Sequence, residues 1–134
     1  MRSGFMPRAA TVLASAVAAA SLLGQPAASR AQGGGAAKNP FTGNADAIKE
    51  GRALYLQHGC SGCHGVQGGG GMATPLLDDT WEFGSSDEVL FRLIKGEIAE
   101  STMPKVYQLE PDQVWKMIAY IRSLYRGDPS KVDW

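Results

Sequence analysis

The pentapeptide Cys60-Ser61-Gly62-Cys63-His64 constrains this chain more than any other stretch, because Cys60 and Cys63 are its only cysteines. A Cys-x-x-Cys-His run reads as the attachment site of a covalent c-type haem. Each thiol adds across one vinyl group of the porphyrin, and two intervening residues let both sulfurs reach the same ring edge. The residue after the second cysteine then lies under the iron, where an imidazole nitrogen ligates it. Rival readings need features that the sequence lacks. A thioredoxin-like redox pair wants a βαβ context, and no alternating strand pattern surrounds the motif. A structural zinc site wants four Cys or His ligands, whereas this chain holds two cysteines and two histidines, with His58 just ahead of the motif. A disulfide across two residues leaves His64 unexplained. The expected cofactor is one covalent haem c.

The N-terminus reads as an export signal. Arg2 and Arg8 form a positive region ahead of a short, alanine-rich apolar run over 9–23. Gln25-Pro26 breaks that run, and small residues around Ser29-Arg30-Ala31 place cleavage after Ala31, making 1–31 a removed signal peptide. The run falls short of the roughly twenty apolar residues that span a bilayer, so no stable membrane insertion is expected after cleavage. Export suits the motif, since c-type haem is attached outside the bacterial cytoplasm, where thiols otherwise oxidise. The expected location is the periplasm.

Residues 32–43, QGGGAAKNPFTG, are Gly-rich and without periodicity, and read as a flexible leader. Residues 44–134 then form one domain with one haem motif. The full chain carries 13 Lys+Arg and 13 Asp+Glu, and Arg2, Arg8 and Arg30 leave with the signal, so the mature charge is −3 before the haem propionates are counted. That balance argues against nucleic acid or anionic lipid as a partner and for a basic docking surface.

Hydrophobic periodicity predicts an all-α domain of three main helices. Asn44 caps the first, over 45–58, with Ala47, Ile48, Gly51, Leu54 and Tyr55 on one side. A mid-helix Gly51 costs about 1 kcal/mol relative to Ala, which implies a close helix approach there. Ser85 and Glu88 make a capping box for the second helix, which Gly96 ends as a left-handed cap. Pro111 opens the third, whose stripe of Val114, Met117, Ile118, Ile121, Leu124 and Tyr125 ends before Gly127 and Pro129. The polar, Gly-rich loops 65–83 and 97–109 bury little by themselves. Wrapped on a haem they need less, because the porphyrin supplies the apolar surface that so small a core lacks.

His64 supplies one iron ligand. For the second, Met117 belongs to a core stripe, Met72 follows four glycines only eight positions beyond His64, and His58 ends the first helix. Met103, in a loop and held out of helical geometry by Pro104, is the expected sixth ligand. A His/Met pair raises the reduction potential of a haem relative to stronger donors. With both axial positions filled, the iron is suited to one-electron transfer and not to bond chemistry, so no catalytic residue is expected. Gly68 to Gly71 lack the Gly-Lys-Ser/Thr ending of a phosphate loop. Trp81 is read either as a propionate donor or as core packing.

From about Asn44 onward the chain resembles the class I monohaem cytochromes c of bacteria. That resemblance implies a crossing of the first and last helices through a glycine and two aromatics, matched here by Gly51, Tyr55, Met117 and Tyr120. It implies that Pro75, in Pro75-Leu76-Leu77, accepts the His64 ring N–H, and it aligns Met103-Pro104 with the axial methionine. It also implies a monomeric periplasmic carrier that takes electrons from a dehydrogenase or quinol-oxidising complex and passes them to a terminal oxidase. The alternatives are a tightly bound cytochrome subunit of a periplasmic dehydrogenase, such as a quinoprotein alcohol dehydrogenase, and a haem enzyme or gas sensor with a labile methionine. If Cys60 and Cys63 carry the haem, acid–organic extraction will leave the pigment on the polypeptide. Free haem in the organic layer would refute the attachment.

Overall fold

The Asn44 side chain accepts a hydrogen bond from the Ala47 amide at 3.0 Å and starts α1, Ala45–Gln57. In this computed structural model residues 37–134 are described; the expected signal peptide and the first part of the leader lie outside the described residues. Asp46 in the first turn of α1 complements the helix dipole. Its buried residues, Ala47, Gly51 and Tyr55, recur every four positions and so form one stripe.

The haem motif itself is helical. α2, Cys60–His64, begins after Gly59 (φ 75°) and is closed by Gly65 (φ 79°). Five residues show no readable periodicity, which is why the sequence pattern held no sign of it. α3 spans Asp87–Lys95 and α4 spans Pro111–Leu124, followed by a single 3₁₀ turn at Pro129–Lys131. There is no strand among the described residues, and the fold is all-α.

Two helix ends differ from the sequence expectation. The N-cap of α3 is Ser86, whose hydroxyl accepts from Val89 N at 3.2 Å, and not Ser85. Ser85 is committed elsewhere: its carbonyl accepts from Arg122, and its hydroxyl bonds the Asp133 side chain and accepts from Asp133 N at 3.1 Å. At the other end, α4 stops at Leu124, ahead of Gly127. Tyr125 leaves the helix because its hydroxyl is tied to the Asp79 carboxylate and to the Asp128 carbonyl, the latter at 2.9 Å. The start of α4 follows Pro111 as expected, with Gln113 Oε1 accepting from Glu110 N at 3.0 Å.

The core centres on the crossing of α1 and α4. A Cβ on Gly51 would collide with the Lys116 carbonyl, so the two backbones pass at the distance that only glycine allows. One turn further along each helix, Tyr55 meets Tyr120 edge-on with ring centroids 5.3 Å apart. Val114, Met117 and Ile118 of α4 are fully buried. α3 joins through Phe91, whose ring lies 4.5 Å from that of Trp115.

A buried ion pair braces the far side. Arg122 Nε donates to Asp87 Oδ1 at 2.8 Å, and both side chains are 4% exposed. Asp87 Oδ2 accepts from Asn39 N at 2.8 Å, while Asn39 Nδ2 donates to the Trp115 carbonyl at 2.8 Å. The last residues of the stretch read as a leader are therefore anchored on the domain. Burial pulls the Arg122 guanidinium below its usual pKa, and Asp87 pushes it back up.

Gly51→Val forces the α1 and α4 backbones apart. The loss of stability should reach the upper end of the roughly 1–3 kcal/mol usual for overpacking, since a carbonyl cannot yield as a side-chain tip can. Denaturant unfolding of the holoprotein measures it, and an unchanged midpoint would mean that the helices do not touch there.

Candidate haem-binding site

A cavity of about 440 Å³ opens between the helices, within the range usual for cofactor sites. Every main helix contributes to its wall: Tyr55 and His58 from the end of α1, Leu90, Leu93 and Ile94 from α3, Met117 and Ile121 from α4. The loop before α3 adds Trp81, Glu82 and Phe83, and the loop after it adds Met103 and Pro104. The lining is predominantly apolar, as a porphyrin face requires.

α2 puts the attachment residues on that wall. Cys60, Cys63 and His64 stand at i, i+3 and i+4, neighbours on one helix face, and all three line the cavity. Neither cysteine is in a disulfide, and both are half-buried. Burial pushes the Cys60 thiol up, since an apolar wall disfavours its thiolate. Among the described residues no group of three Cys, His, Asp or Glu side chains is placed to hold a bare metal ion.

The His64 ring is oriented by a main-chain carbonyl. Its Nδ1 lies 2.9 Å from the Thr74 carbonyl, so Nδ1 carries the proton and Nε2 is left as the nitrogen with a lone pair to offer a metal. The acceptor is thus Thr74 and not Pro75, which corrects the residue implied by family resemblance. The loop is clipped by Ala73 N to the Cys63 carbonyl at 3.1 Å and by Leu76 N to the Gly68 carbonyl at 2.7 Å, which presents Thr74 to the imidazole. The Pro75 ring packs against Gly70 instead.

The methionines separate clearly. Met103 is half-buried in the loop between α3 and α4 and lines the same cavity as His64. Met72 also touches the rim, but it is 85% exposed. Met117 is fully buried in the α4 stripe. His58 lines the cavity from the C-cap of α1.

The donor chemistry of the wall fits a haem. Trp81 Nε1 is buried and has no hydrogen-bond partner among the described residues, although Trp81 lines the cavity. A buried indole N–H needs an acceptor, and a haem propionate would supply one. The Arg122 guanidinium lies 5.4 Å from the centre of the Trp81 ring and 3.7 Å from that of the Trp134 ring. Its Nη1 is the other buried donor without a partner among the described residues.

Sequence patterns missed what holds the motif from the core side. Tyr55 donates to the Gly65 carbonyl at 2.7 Å, and Tyr120 donates to the Val66 carbonyl at 3.2 Å. Burial, with Cys60 nearby as a lesser cause, pushes the Tyr55 hydroxyl up to about 12, so it stays a donor at neutral pH. The signal was the choice of Tyr over Phe on a buried stripe, because a buried hydroxyl implies an acceptor.

Comparison with known proteins agrees with this geometry. Residues 46–121 match the family model described as cytochrome C oxidase, cbb3-type, subunit III. The chain belongs to this family of c-type cytochromes. It is 31% identical over 99 residues to cytochrome c-L of Methylorubrum extorquens, a match covering 72% of this chain and 50% of that relative. Among solved structures it resembles cytochrome cL of the marine methylotroph Methylophaga aminisulfidivorans, with 35% identity and a TM-score of 0.66, covering 72% of this chain and 65% of that one. It also resembles cytochrome cL of Hyphomicrobium denitrificans, with 34% identity and a TM-score of 0.63, covering 71% of this chain and 57% of that one. The chain thus spans about half the length of the curated relative it matches. Its fold is that of the cytochromes c, and its cofactor is covalent haem c.

Replacing the two loop methionines tests the distal assignment. Met103→Ala should open the iron to carbon monoxide in the ferrous protein and lower the potential, while Met72→Ala should leave the ligation spectrum unchanged. The opposite pattern would assign the distal face to the Gly-rich loop.

Proposed function

We propose that this protein is a periplasmic one-electron carrier whose haem is held by Cys60 and Cys63 and ligated by His64 and Met103. The observation that carries the reading is the convergence of an imidazole and a half-buried thioether on one apolar cavity. When bound, the haem supplies a one-electron iron couple, whose potential a thioether ligand raises. The chain's own residues do the rest. Thr74 orients His64, Trp81 Nε1 is available to a propionate, and Leu90, Leu93, Ile94 and Ile121 keep water from the cavity. With His64 and Met103 both committed to iron, the iron would keep no open position for a substrate. Catalysis is therefore not its task.

The proposed donor is a periplasmic dehydrogenase or a quinol-oxidising complex, and the acceptor a terminal oxidase. The names of the relatives, all cytochrome c-L, support a role as redox partner. The protein is proposed to act as a monomer, and no described helix is long and apolar enough to cross a membrane. A second reading, a cytochrome subunit of a larger complex, is favoured by the description of the matching family as an oxidase subunit. Co-purification from the native host separates the two: a carrier elutes alone, a subunit with its enzyme.

Charge at the cavity mouth is sparse. Among the described residues Glu82 is the one carboxylate in the lining. The Asp79 carboxylate is already engaged by Tyr125, by Asp128 N at 2.9 Å and by Lys131 at 3.4 Å, and the Tyr125 hydrogen bond is first among the causes that hold it below its usual range. Glu82 and the propionates are thus the groups that would steer a basic partner. Electron-transfer rates with such a partner should fall as ionic strength rises, since screening acts over about 8–10 Å at physiological salt. Glu82→Lys should slow transfer while leaving the potential nearly unmoved. A second-order rate indifferent to salt would mean an apolar contact, and a rate that climbs would mean an acidic partner.

A further inference from the structure

The hydroxyls of Tyr55 and Tyr120 do something that the crossing of α1 and α4 does not require. Phenylalanine at both positions would fill the same volume and keep the edge-on contact. Instead, each hydroxyl reaches a different carbonyl directly after His64: Tyr55 that of Gly65 at 2.7 Å, Tyr120 that of Val66 at 3.2 Å. The two side chains are almost wholly buried, at 1% and 4% exposure, and come from separate helices.

The segment they hold cannot hold itself. α2 has five residues, far below the roughly 12–15 at which an isolated helix becomes even marginal in water. It ends at Gly65, whose φ of 79° and ψ of 156° lie outside helical geometry and whose peptide turns with little steric hindrance. The loop after the motif secures the other polar groups here. Gly70 N donates to the His64 carbonyl at 2.8 Å, and Thr74 holds the imidazole Nδ1 at 2.9 Å. The 70–76 loop therefore fixes the ring, and the two tyrosines fix the peptides beyond it.

We propose that Tyr55 and Tyr120 are positioning residues for the His64 imidazole, so that the contact between α1 and α4 sets the orientation of an iron ligand. The inference rests on His64 ligating the iron. The arrangement makes the interhelical contact and the ligand one mechanical unit: Gly51 brings the helices together, the ring pair locks them one turn on, and the hydroxyls pass that constraint to the end of α2. Without the Tyr55 hydroxyl the Gly65 carbonyl keeps only the Gly68 amide, at 3.1 Å, and without the Tyr120 hydroxyl the Val66 carbonyl loses its side-chain donor; either loss loosens the peptides behind His64 and gives the imidazole plane more freedom to rotate.

The test uses the ferric holoprotein and proton NMR, read on the haem-loaded fraction. In the unsubstituted protein, strongly hyperfine-shifted His64 ring protons establish that His64 is a ligand. Their absence would overturn that ligation, whatever the tyrosine variants do. Tyr55→Phe and Tyr120→Phe should each displace those ring resonances and shift the midpoint potential, and the double variant should do so further. Exchange of the Gly65 amide, now bonded to the Ser61 carbonyl at 3.0 Å, should quicken by about threefold to tenfold, as the loss of one hydrogen bond implies. Tyr107→Phe, at a position 70% exposed, serves as the control and should change none of these. Ring resonances and potential that stay at their original values while thermal stability falls would show that the hydroxyls only support packing, and the proposal would be wrong.

Discussion

Two helices that meet backbone to backbone govern this fold. The Lys116 carbonyl occupies the space where a side chain at residue 51 would stand, so α1 and α4 approach more closely than ordinary side-chain packing allows. That contact leads to the ring pair of Tyr55 and Tyr120, the burial of Val114, Met117 and Ile118, and the bracing of the haem motif. The remaining elements are arranged around what the crossing leaves open. α3 and the two long loops contribute a wall, and that wall gains its apolar partner from the haem. A domain of roughly a hundred residues with so many glycines buries little surface through its own side chains alone.

Much of this was written locally in the chain. Asn44, Gly96 and Pro111 announce helix ends because a cap depends on a few neighbouring residues, and the structure uses all three as such. Gly51 announced the crossing because a glycine in an otherwise good helix needs a steric reason. The attachment motif was legible for the same cause, its chemistry being contained in five consecutive residues. What the chain concealed depends on residues far apart. Ser85 and Ser86 are equally good caps in isolation, and only Arg122 and Asp133 decide that Ser85 has another commitment. Thr74 and Pro75 are adjacent carbonyls, and the clips from Ala73 and Leu76 to residues around the motif determine which one faces the imidazole. Asn39 read as part of a Gly-rich leader, although its side chain and amide bridge α3 and α4.

The Arg122–Asp87 pair illustrates how polarity can be buried safely. An ion pair of this kind rarely adds much stability over apolar packing, but removal of one partner commonly costs about 3–5 kcal/mol. Here the carboxylate gains the Asn39 amide, and the guanidinium gains the Ser85 carbonyl and two indole faces. Each extra contact spreads the charge over neutral groups. The arrangement also gathers segments near both ends of the described chain behind one side of the cavity wall, where Trp81 stands.

The closing contact at Gly51 has a meaning in time as well as in space. It joins residue 51 to residue 116, whereas the attachment motif lies close behind residue 51. A chain made from its N-terminus contains both cysteines before α4 has been synthesised to meet α1. Pairings so distant along the sequence are also slow to form, because the loop between them must be closed first. Once the helices cross, the same cysteines lie in a wall. The contact that closes the cavity wall is thus among the last that the order of the sequence makes available, well after the attachment motif itself.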